Sequence, residues 1–430
     1  MSSAKHILIV GGGVIGLCTA HYCRRAGHQV TLLERGGPDH DCCSLGNAGY
    51  VSPSHFIPLA APGMVWTGLR MMRNPRSPFY IKPRLSLDLM NWGWKFMRAC
   101  TPQRVERAAP VLRDLNLHSR ACYEELSSEW AARGEEFGFT KRGLLMLCKT
   151  EQALEHERHL GARGKQLGVP GEFLSPQETA KVEPNLKADI LGSVFFPDDC
   201  HLTPRKFVPG LAESVQRDGV EIRWNSAAIG WETTSGSRGG KRRVSGVRTA
   251  AGTLEADEYV IAGGSWTPSI GRALGVRLPM QAGKGYSLTM SNPPASKLPS
   301  TTAILTEARV AVTPMSGTLR FGGTMEIAGM DESITMERVR GIIEAVPKYL
   351  PEFSAADFEG IPPWRGLRPV TPDGLPYVGR FGAFENASVA AGHAMLGLSL
   401  GPITGKLMSQ ILSGQLPLVD TTLLDPDRYA

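Results

Sequence analysis

Residues 7–16 read ILIVGGGVIG, a short apolar run that stops at three glycines. The run predicts a buried parallel strand, and residues 14–25 continue with the apolar spacing of a helix. Residues 30–33 predict the next strand, which ends at Glu34. A strand, a helix and a strand within about thirty residues have the size of one βαβ unit.

The glycines of this unit follow the pattern G-x-G-x-x-G at Gly11, Gly13 and Gly16. The first permits a tight turn, the second lets a phosphate approach the backbone, and the third lets the helix pack closely on the strand. The start of the helix offers unpaired N–H groups to a pyrophosphate. Glu34 stands where a carboxylate accepts hydrogen bonds from ribose hydroxyls. The unit therefore predicts a dinucleotide site, with a glycine-rich turn that binds no nucleotide as the alternative.

The glycine pattern alone leaves open whether the dinucleotide is FAD or NAD. An NAD enzyme usually continues with a regular alternation of strands and helices, whereas here a stretch of small residues, 44–49, follows soon after Glu34. Such residues let backbone N–H groups approach an extended ligand. A second stretch, residues 392–397, precedes a helix predicted at 403–412, whose positive end favours the charge of reduced flavin. These features favour FAD.

Length and composition limit the remaining classes. A chain of 430 residues predicts two domains, and a net charge of +6 without a long basic block argues against nucleic acid. No apolar stretch approaches the ~20 residues of a membrane-spanning helix, and the run after Lys5 is too short for a signal peptide. The eight cysteines lack C-x-x-C and zinc spacings. We expect a cytoplasmic protein with reduced thiols and no metal site.

Beyond the first unit, the chain predicts a mixture of helices and strands. The expected helices lie at residues 107–133, 151–167 and 338–350. The expected strands lie at residues 219–231, 259–262 and 388–391, with antiparallel strands within 313–323 and a turn at 238–241.

Several further segments follow the βαβ unit in a fixed order. They are GNAGYVSP at 46–53, AAPG at 60–63, KGYSLT at 284–289, GGTMEI at 322–327, GLRPVTPDG at 366–374 and GH at 392–393. As an ordered set they resemble the D-amino-acid oxidase superfamily of FAD-dependent oxidoreductases. The resemblance is closest to the D-amino-acid dehydrogenase branch, which includes enzymes that oxidise D-proline and D-hydroxyproline. The resemblance spans nearly the whole chain.

This resemblance implies an α/β plus α+β fold. A Rossmann-type FAD-binding domain is joined to a discontinuous substrate domain, which is built on an antiparallel sheet that covers the isoalloxazine ring. We expect the FAD-binding domain at residues 1–63, 196–278 and 364–430. The substrate domain is then expected at residues 64–195 and 279–363.

The resemblance also implies which residues meet FAD. Outside the glycine pattern and Glu34, the expected contacts are Arg35, Asn47, Ala48, Gly49, Ala228, Gly263, Gly392, Gly397 and Leu398. Some relatives attach their flavin through a cysteine at the position of Gly366. Because glycine stands there, we expect noncovalent FAD.

Arg368 is the expected substrate anchor, because a guanidinium matches a carboxylate with two parallel hydrogen bonds. The alternative is a surface arginine, and Arg365, three positions away, is expected to be structural. Tyr286 either reaches the substrate carboxylate with its hydroxyl or packs on a sheet. His55 either lines the pocket or is an ordinary loop histidine. No catalytic base is required where a neutral amine delivers hydride from Cα to flavin N5.

Residues 64–104 combine aromatic and basic side chains. The tryptophans are Trp66, Trp92 and Trp94, and the basic residues are Arg70, Arg73, Arg76, Lys82, Arg84, Lys95, Arg98 and Arg104. One interpretation is a surface that meets anionic lipid and a quinone. The favoured interpretation is a set of substrate-domain helices with core tryptophans and a solvated basic face.

The predicted function is FAD-dependent oxidation of the Cα–N bond of a small D-amino acid, such as D-proline or D-hydroxyproline. Electrons are expected to pass to a quinone-type acceptor, and the first interpretation of residues 64–104 would place the protein peripherally on the inner face of the cytoplasmic membrane. One alternative is an oxidase of the glycine or sarcosine type that uses oxygen. An alternative of another class is a non-catalytic, flavin-bound assembly protein.

Overall fold

The computed structural model describes residues 4–72, 74–236 and 240–430. Arg73 and residues 237–239, which include half of the turn expected at 238–241, lie outside these ranges. The described residues form these α-helices: α1 Val14–Arg25, α2 Met64–Met71, α3 Leu87–Ala99, α4 Pro102–Ala131, α5 Glu151–Gln166, α6 Pro176–Val182, α7 Pro204–Arg217, α8 Thr267–Leu274, α9 Met336–Tyr349 and α10 Gly401–Leu412.

The strands of the same ranges are β1 His6–Val10, β2 Gln29–Leu33, β3 Tyr50–Val51, β4 Phe79–Ile81, β5 Leu144–Cys148, β6 Glu172–Leu174, β7 Gly192–Phe196, β8 Cys200–His201, β9 Glu221–Arg223, β10 Gly230–Ser235, β11 Arg242–Thr249, β12 Gly252–Leu254, β13 Glu258–Ile261, β14 Gln281–Ser291, β15 Thr302–Leu305, β16 Val310–Met315, β17 Thr318–Ile327, β18 Trp364–Val370, β19 Tyr377–Arg380 and β20 Ala387–Ala391.

A six-stranded sheet in the order β9-β2-β1-β13-β20-β19 contains the N-terminal βαβ unit. All neighbours are parallel except β19 and β20. Ile9 on β1 pairs with Leu32 on one side and with Val260 on the other. Strand β1 is therefore central, and the strand order reverses there, because the chain adds β2 on one side of β1 and β13 on the other. In open sheets of this kind, ligands bind beyond the carboxyl ends of the strands at such a reversal.

Helices cover one face of this sheet, and the three-stranded sheet β10-β11-β12 covers the other. On the helical face α1 packs against α7 and α10, and their apolar side chains share one core with α4. Gly405 permits this approach, because a Cβ there would lie 2.4 Å from the carbonyl oxygen of Cys18. On the opposite face, Val244 and Val247 pack with Tyr259.

The second large sheet has the order β18-β14-β17-β16-β15-β5-β7-β6, with β4 beside β17. Its pairs are antiparallel except β5 with β15 and β4 with β17. Helix α9 packs Val339 and Ile342 on one face. The antiparallel strands expected within residues 313–323 are confirmed as β16 and β17. The domain limits stay a prediction, and β18, placed with the FAD-binding part, pairs here with β14.

Two expected elements differ from the structure. The single strand expected at residues 219–231 is wrong: β9 ends at Arg223, Asn225 takes a left-handed conformation with φ 53°, and β10 belongs to another sheet. The helix expected from residue 107 begins at Pro102 instead. Thr101 caps it by accepting a hydrogen bond from the Arg104 amide, a start that apolar spacing alone does not reveal.

Residues 64–104 form α2, β4 and α3 and the first residues of α4. Trp92 is buried, and its indole N–H donates to the carbonyl of Val370 at 2.9 Å. Trp66 and Trp94, in contrast, are 77% and 50% exposed. The expectation of core tryptophans therefore holds for Trp92 and is wrong for the other two. Among the described residues, no helix combines the length and apolarity needed to cross a membrane.

Candidate active site

A cavity of about 1330 Å³ runs from the carboxyl end of β1 to the face of the antiparallel sheet that is opposite α9. All the residues expected to meet FAD line it, except Gly16 and Gly49. The expected substrate residues Arg368, Tyr286 and His55 line the same space. The structure thus brings residues that are far apart in sequence into one continuous site.

The turn after β1 requires glycine at two positions. Gly11 has φ +120°, and a Cβ there would lie 2.4 Å from the carbonyl oxygen of Ala262. A Cβ on Gly16 would lie 1.8 Å from the carbonyl oxygen of Gly11. Helix α1 therefore begins directly against the end of the sheet, with Gly13 at its N-cap. This cradle fits a pyrophosphate, because it exposes backbone N–H groups and the positive helix end.

Glu34 is buried at the end of β2. Its carboxylate accepts hydrogen bonds from the amides of Gly12 at 2.7 Å and Gly36 at 2.9 Å. His40 lies 3.8 Å from the same carboxylate, and a hydrogen bond with the Cys42 side chain, together with nearby Glu34, raises the pKa of His40 to about 9. The Glu34 oxygens are therefore held at the cavity wall.

Arg35, the next expected contact, leaves the sheet and stacks its guanidinium on the Trp266 ring, 3.6 Å from the ring centroid. Both residues line the cavity beside Ala228 and Gly263. This end of the cavity has the polar backbone and the planar surfaces that an adenosine moiety requires.

The 44–49 stretch forms a loop on the cavity wall. Asn47 fixes it by accepting from the Gly49 amide at 2.9 Å and donating to the carbonyl of Met395 at 3.3 Å. The Trp364 ring covers Gly46, where a Cβ would lie 2.1 Å from the ring.

Arg320 also holds this loop, although it is not among the site residues expected from the sequence. The side chain is 3% exposed. It donates to the carbonyls of Leu45 at 3.0 Å and Asn47 at 2.6 Å, and to the Thr289 hydroxyl at 3.0 Å. Burial lowers the pKa of Arg320 to about 10. A single arginine in a strand gives no sequence signal for a loop that lies far away in the chain.

The far loop, residues 392–398, closes the cavity near α10. Gly392 has φ +88°, and its Cβ position lies 2.5 Å from Thr371. His393 Nε2 is 2.9 Å from the Thr404 hydroxyl, and burial lowers the pKa of His393 to about 3, so the ring is neutral. The carbonyl of Leu398 accepts from the Tyr123 hydroxyl at 2.6 Å.

Arg368 projects from β18 into the cavity. Its Nη1 donates to the carbonyl of Thr324, and no described carboxylate lies within ion-pair distance of the guanidinium. Gly285 makes room for it, since a Cβ there would lie 2.2 Å from the guanidinium carbon. Burial lowers the pKa of Arg368, and only Cys43 acts in the opposite direction. The guanidinium is a partly buried cation that lacks an anionic partner within the described chain.

Arg365 has the opposite character. Its guanidinium lies 3.3 Å from Glu332 and 3.8 Å from Asp41, and Nε donates to the Glu332 carbonyl at 2.8 Å. These contacts agree with the structural role expected for Arg365.

Tyr286 and His55 are less available for substrate. The Tyr286 hydroxyl donates to Glu326 at 2.5 Å and accepts from the Thr335 amide at 3.2 Å, and its side chain packs in the same core as Val339 and Ile342 of α9. The His55 ring lies 3.1 Å from the Ser54 hydroxyl, and burial lowers the pKa of His55 to about 4. His55 is therefore a neutral wall residue at pH 7, and both catalytic roles stay predictions.

Comparison with known proteins agrees with this geometry. Residues 6–411 match the model of the DAO family, described as FAD dependent oxidoreductase. The chain is 34% identical over 434 residues to a D-amino acid dehydrogenase of Bradyrhizobium diazoefficiens, covering 99% of each chain. It is 34% identical over 431 residues to a D-amino acid dehydrogenase of Methylobacterium radiotolerans, covering 99% of this chain and 100% of the other. In fold it resembles glycine oxidase from Geobacillus kaustophilus, with a TM-score of 0.77, 22% identity and 99% of each chain covered.

The chain belongs to the DAO family of FAD-dependent oxidoreductases. It is therefore an enzyme whose cofactor is FAD, and the expected family, fold class and cofactor are confirmed. The glycine cradle, the buried Glu34 and the continuous cavity fit that cofactor.

We predict that FAD is held without a covalent bond. Gly366 offers no thiol, and its Cβ position is occupied by the Trp364 ring at 2.1 Å. Cys43 also lines the cavity, but burial raises the pKa of its thiol to about 12, so it is not a nucleophilic thiolate. After acid precipitation, all yellow colour is expected in the supernatant. Flavin absorbance that remains with the precipitated polypeptide would contradict this prediction.

We also predict that Glu34→Ala raises the dissociation constant for FAD. A hydrogen bond to a charged group contributes about 1.5–3 kcal/mol, so a loss of roughly 10- to 100-fold is expected. Titration of apoprotein with FAD, followed by flavin fluorescence, measures the change. Glu34→Gln keeps the shape of the side chain, and its dissociation constant for FAD should fall between those of the wild type and Glu34→Ala. An unchanged FAD affinity in Glu34→Ala would mean that the ribose is held elsewhere.

Proposed function

We propose that this enzyme oxidises the Cα–N bond of small D-amino acids and passes the electrons to a quinone-type acceptor. D-Proline and D-hydroxyproline are the candidate substrates. The observation that carries the proposal is the unpaired guanidinium of Arg368, which shares one cavity with the loops around Asn47 and Gly392. The two D-amino acid dehydrogenases that are 34% identical to the chain support the same substrate class.

Partial burial without a counter-ion makes Arg368 a strong carboxylate receptor. An isolated buried charge is costly, and a bound carboxylate offsets that cost with two parallel hydrogen bonds. The Thr324 carbonyl fixes one edge of the guanidinium, so the remaining N–H groups are free to hold the substrate in one orientation. Orientation of this kind contributes strongly to rate.

The bound FAD supplies the oxidising chemistry by accepting a hydride from the substrate Cα. We assign no proton-transfer role to the side chains that line the substrate end of the cavity. His55 and His393 are neutral because burial lowers the pKa of each ring, and the Tyr286 hydroxyl is engaged by Glu326. We therefore assign these residues to shaping the cavity and excluding water.

The quinone acceptor is supported by an exposed apolar surface. We define the vestibule surface as the exposed side chains Trp66, Leu69, Leu85, Leu87, Met90, Trp94 and Met97. Helices α2 and α3, which carry most of them, also line the cavity through Met64, Gly68 and Phe96. The exposed cations Arg70, Lys82 and Arg98 accompany these apolar groups. Apolar side chains with adjacent cations suit an anionic bilayer, so we propose peripheral contact with the inner face of the cytoplasmic membrane.

We predict that Arg368→Leu keeps FAD and loses nearly all reaction with D-amino acids. Loss of a charged hydrogen-bonded pair costs about 1.5–3 kcal/mol, or roughly 10- to 100-fold in affinity, and misorientation slows hydride transfer further. Arg368→Lys should recover only part, because an ammonium cannot present the planar fork. The measurement is anaerobic flavin reduction against substrate concentration.

Arg365→Leu is the matched control, since Arg365 is paired with Glu332 and Asp41, and its effect should be mild. Near wild-type reduction by Arg368→Leu would place the carboxylate elsewhere. A wild-type flavin that no amino acid bleaches would favour the non-catalytic assembly protein.

We predict that reduced enzyme transfers electrons to a quinone in phosphatidylglycerol vesicles faster than to oxygen. Sedimentation with these vesicles should weaken in the double variant Trp66→Ser, Trp94→Ser. Leu416→Ser is the control, because Leu416 is 90% exposed and lies outside the vestibule surface. Stoichiometric peroxide formation without quinone reduction would instead support the oxidase of the glycine or sarcosine type.

A further inference from the structure

The cavity contains a second unpaired ionisable group, remote from the flavin loops. Glu157 on α5 lines the cavity and is 4% exposed. Among the described residues, no donor or cation bonds to its carboxylate. Burial, reinforced by Glu307, raises the pKa of Glu157 to about 7, so the surrounding protein does not compensate a negative charge there. A buried carboxylate without a partner is costly, and the position faces a cavity that receives a ligand.

Strand register relates Glu157 to Arg368. Gly322 on β17 pairs with Ala311 on β16, which pairs with Ile304 on β15, and Ile304 pairs with Met146 on β5. Two residues further along the four chains lie Thr324, Arg309, Thr306 and Cys148, and we call these four positions the row. Thr306 and Arg309 stand in the turn that joins β15 to β16, where the Arg309 amide donates to the Thr306 carbonyl at 3.3 Å, so the row extends the register past the end of the paired strands.

The two charges lie at opposite ends of this row. The Arg368 guanidinium reaches the Thr324 carbonyl on β17. Glu157 acts electrostatically on Cys148, whose thiol lies 3.7 Å from the Thr306 hydroxyl on the same row. Thr324 and Thr306 both line the cavity. Three inter-strand steps of about 4.8 Å separate the backbones of Thr324 and Cys148 by roughly 14 Å.

An extended basic amino acid matches this separation. With bonds of about 1.5 Å, the distal ammonium of lysine lies about 6 Å from Cα. The substrate carboxylate and a hydrogen bond of about 2.9 Å at each end of the ligand account for most of the remaining distance. A small amino acid leaves the distal half of the row unfilled.

We propose that Glu157 is a specificity-determining residue that binds the distal cation of D-lysine or D-arginine while Arg368 holds the carboxylate. This inference rests on the proposed function and adds a substrate class to it. Arg309 also stands on the row, with its guanidinium 4.0 Å from the Met64 sulfur. Its side chain is more exposed than that of Glu157, but it lines the same cavity and desolvation lowers its pKa, so the test must distinguish the effects of the two residues.

The test compares substrates of equal length and different charge by anaerobic flavin reduction. D-Lysine should show at least a tenfold higher ratio of reduction rate to dissociation constant than Nε-acetyl-D-lysine or D-norleucine, and D-glutamate should be the poorest. In Glu157→Gln that preference should disappear while the reaction with D-alanine is unchanged. Glu155→Gln is the matched control, because Glu155 is exposed on the same helix and pairs with Arg158 and His159.

Each outcome of this substrate comparison supports or contradicts the role of Glu157, the proposed function, or both. Equal reduction by D-lysine and its acetylated form in the wild type overturns the inference without any variant, as does an unchanged preference in Glu157→Gln. If D-alanine and D-proline reduce the flavin but D-lysine has no advantage, the inference fails and the proposed function stands. If no D-amino acid reduces the flavin, both fail. A preference for D-glutamate would assign the distal site to Arg309 and overturn the role of Glu157.

Discussion

The contact between Gly16 and the Gly11 carbonyl is the constraint on which the cofactor site depends. With any side chain at residue 16, the Cβ would lie 1.8 Å from that oxygen, and α1 would have to move away from β1. The same helix packs against α10, and the loop before α10 closes the flavin end of the cavity. Displacement of α1 would therefore disturb both walls of the site. Close packing transmits such a shift because protein interiors contain few voids.

The substrate end of the cavity depends on glycines in the antiparallel sheet, which leave space because they have no side chain. A Cβ on Gly285 would occupy the position of the Arg368 guanidinium, and a Cβ on Gly283 would lie 2.2 Å from the sulfur of Met325. Glycine weakens a strand, yet β14 is held by neighbours on both sides, β17 and β18. The sheet can therefore provide space for a partly buried arginine without losing its hydrogen bonds.

Sequence reasoning identified the cofactor cradle because its signals are local. Gly11, Gly16 and Glu34 lie within one βαβ unit, so spacing alone relates them. Arg320, Glu157 and the Trp364 ring act on loops or sheets distant in sequence, and their neighbours follow only from strand register and helix packing. The exposure of Trp66 could not be predicted either, because residue type predicts burial only on average. Arg368 was found through the resemblance, and its lack of a partner became visible only in the structure.

At the substrate end of the cavity, the cations near the flavin loops and the carboxyl group of Glu157 lie on different sides. Arg320 and Arg368 are both desolvated, with lowered pKa values and hydrogen bonds to carbonyls rather than to carboxylates. Two uncompensated cations on the flavin side favour any anion there, both a substrate carboxylate and the negative charge of reduced flavin. Glu157, at the opposite end of the row, favours a cation. A ligand with a carboxylate at one end and a cation at the other is therefore aligned by the field before it makes close contacts, with its Cα held towards the flavin end.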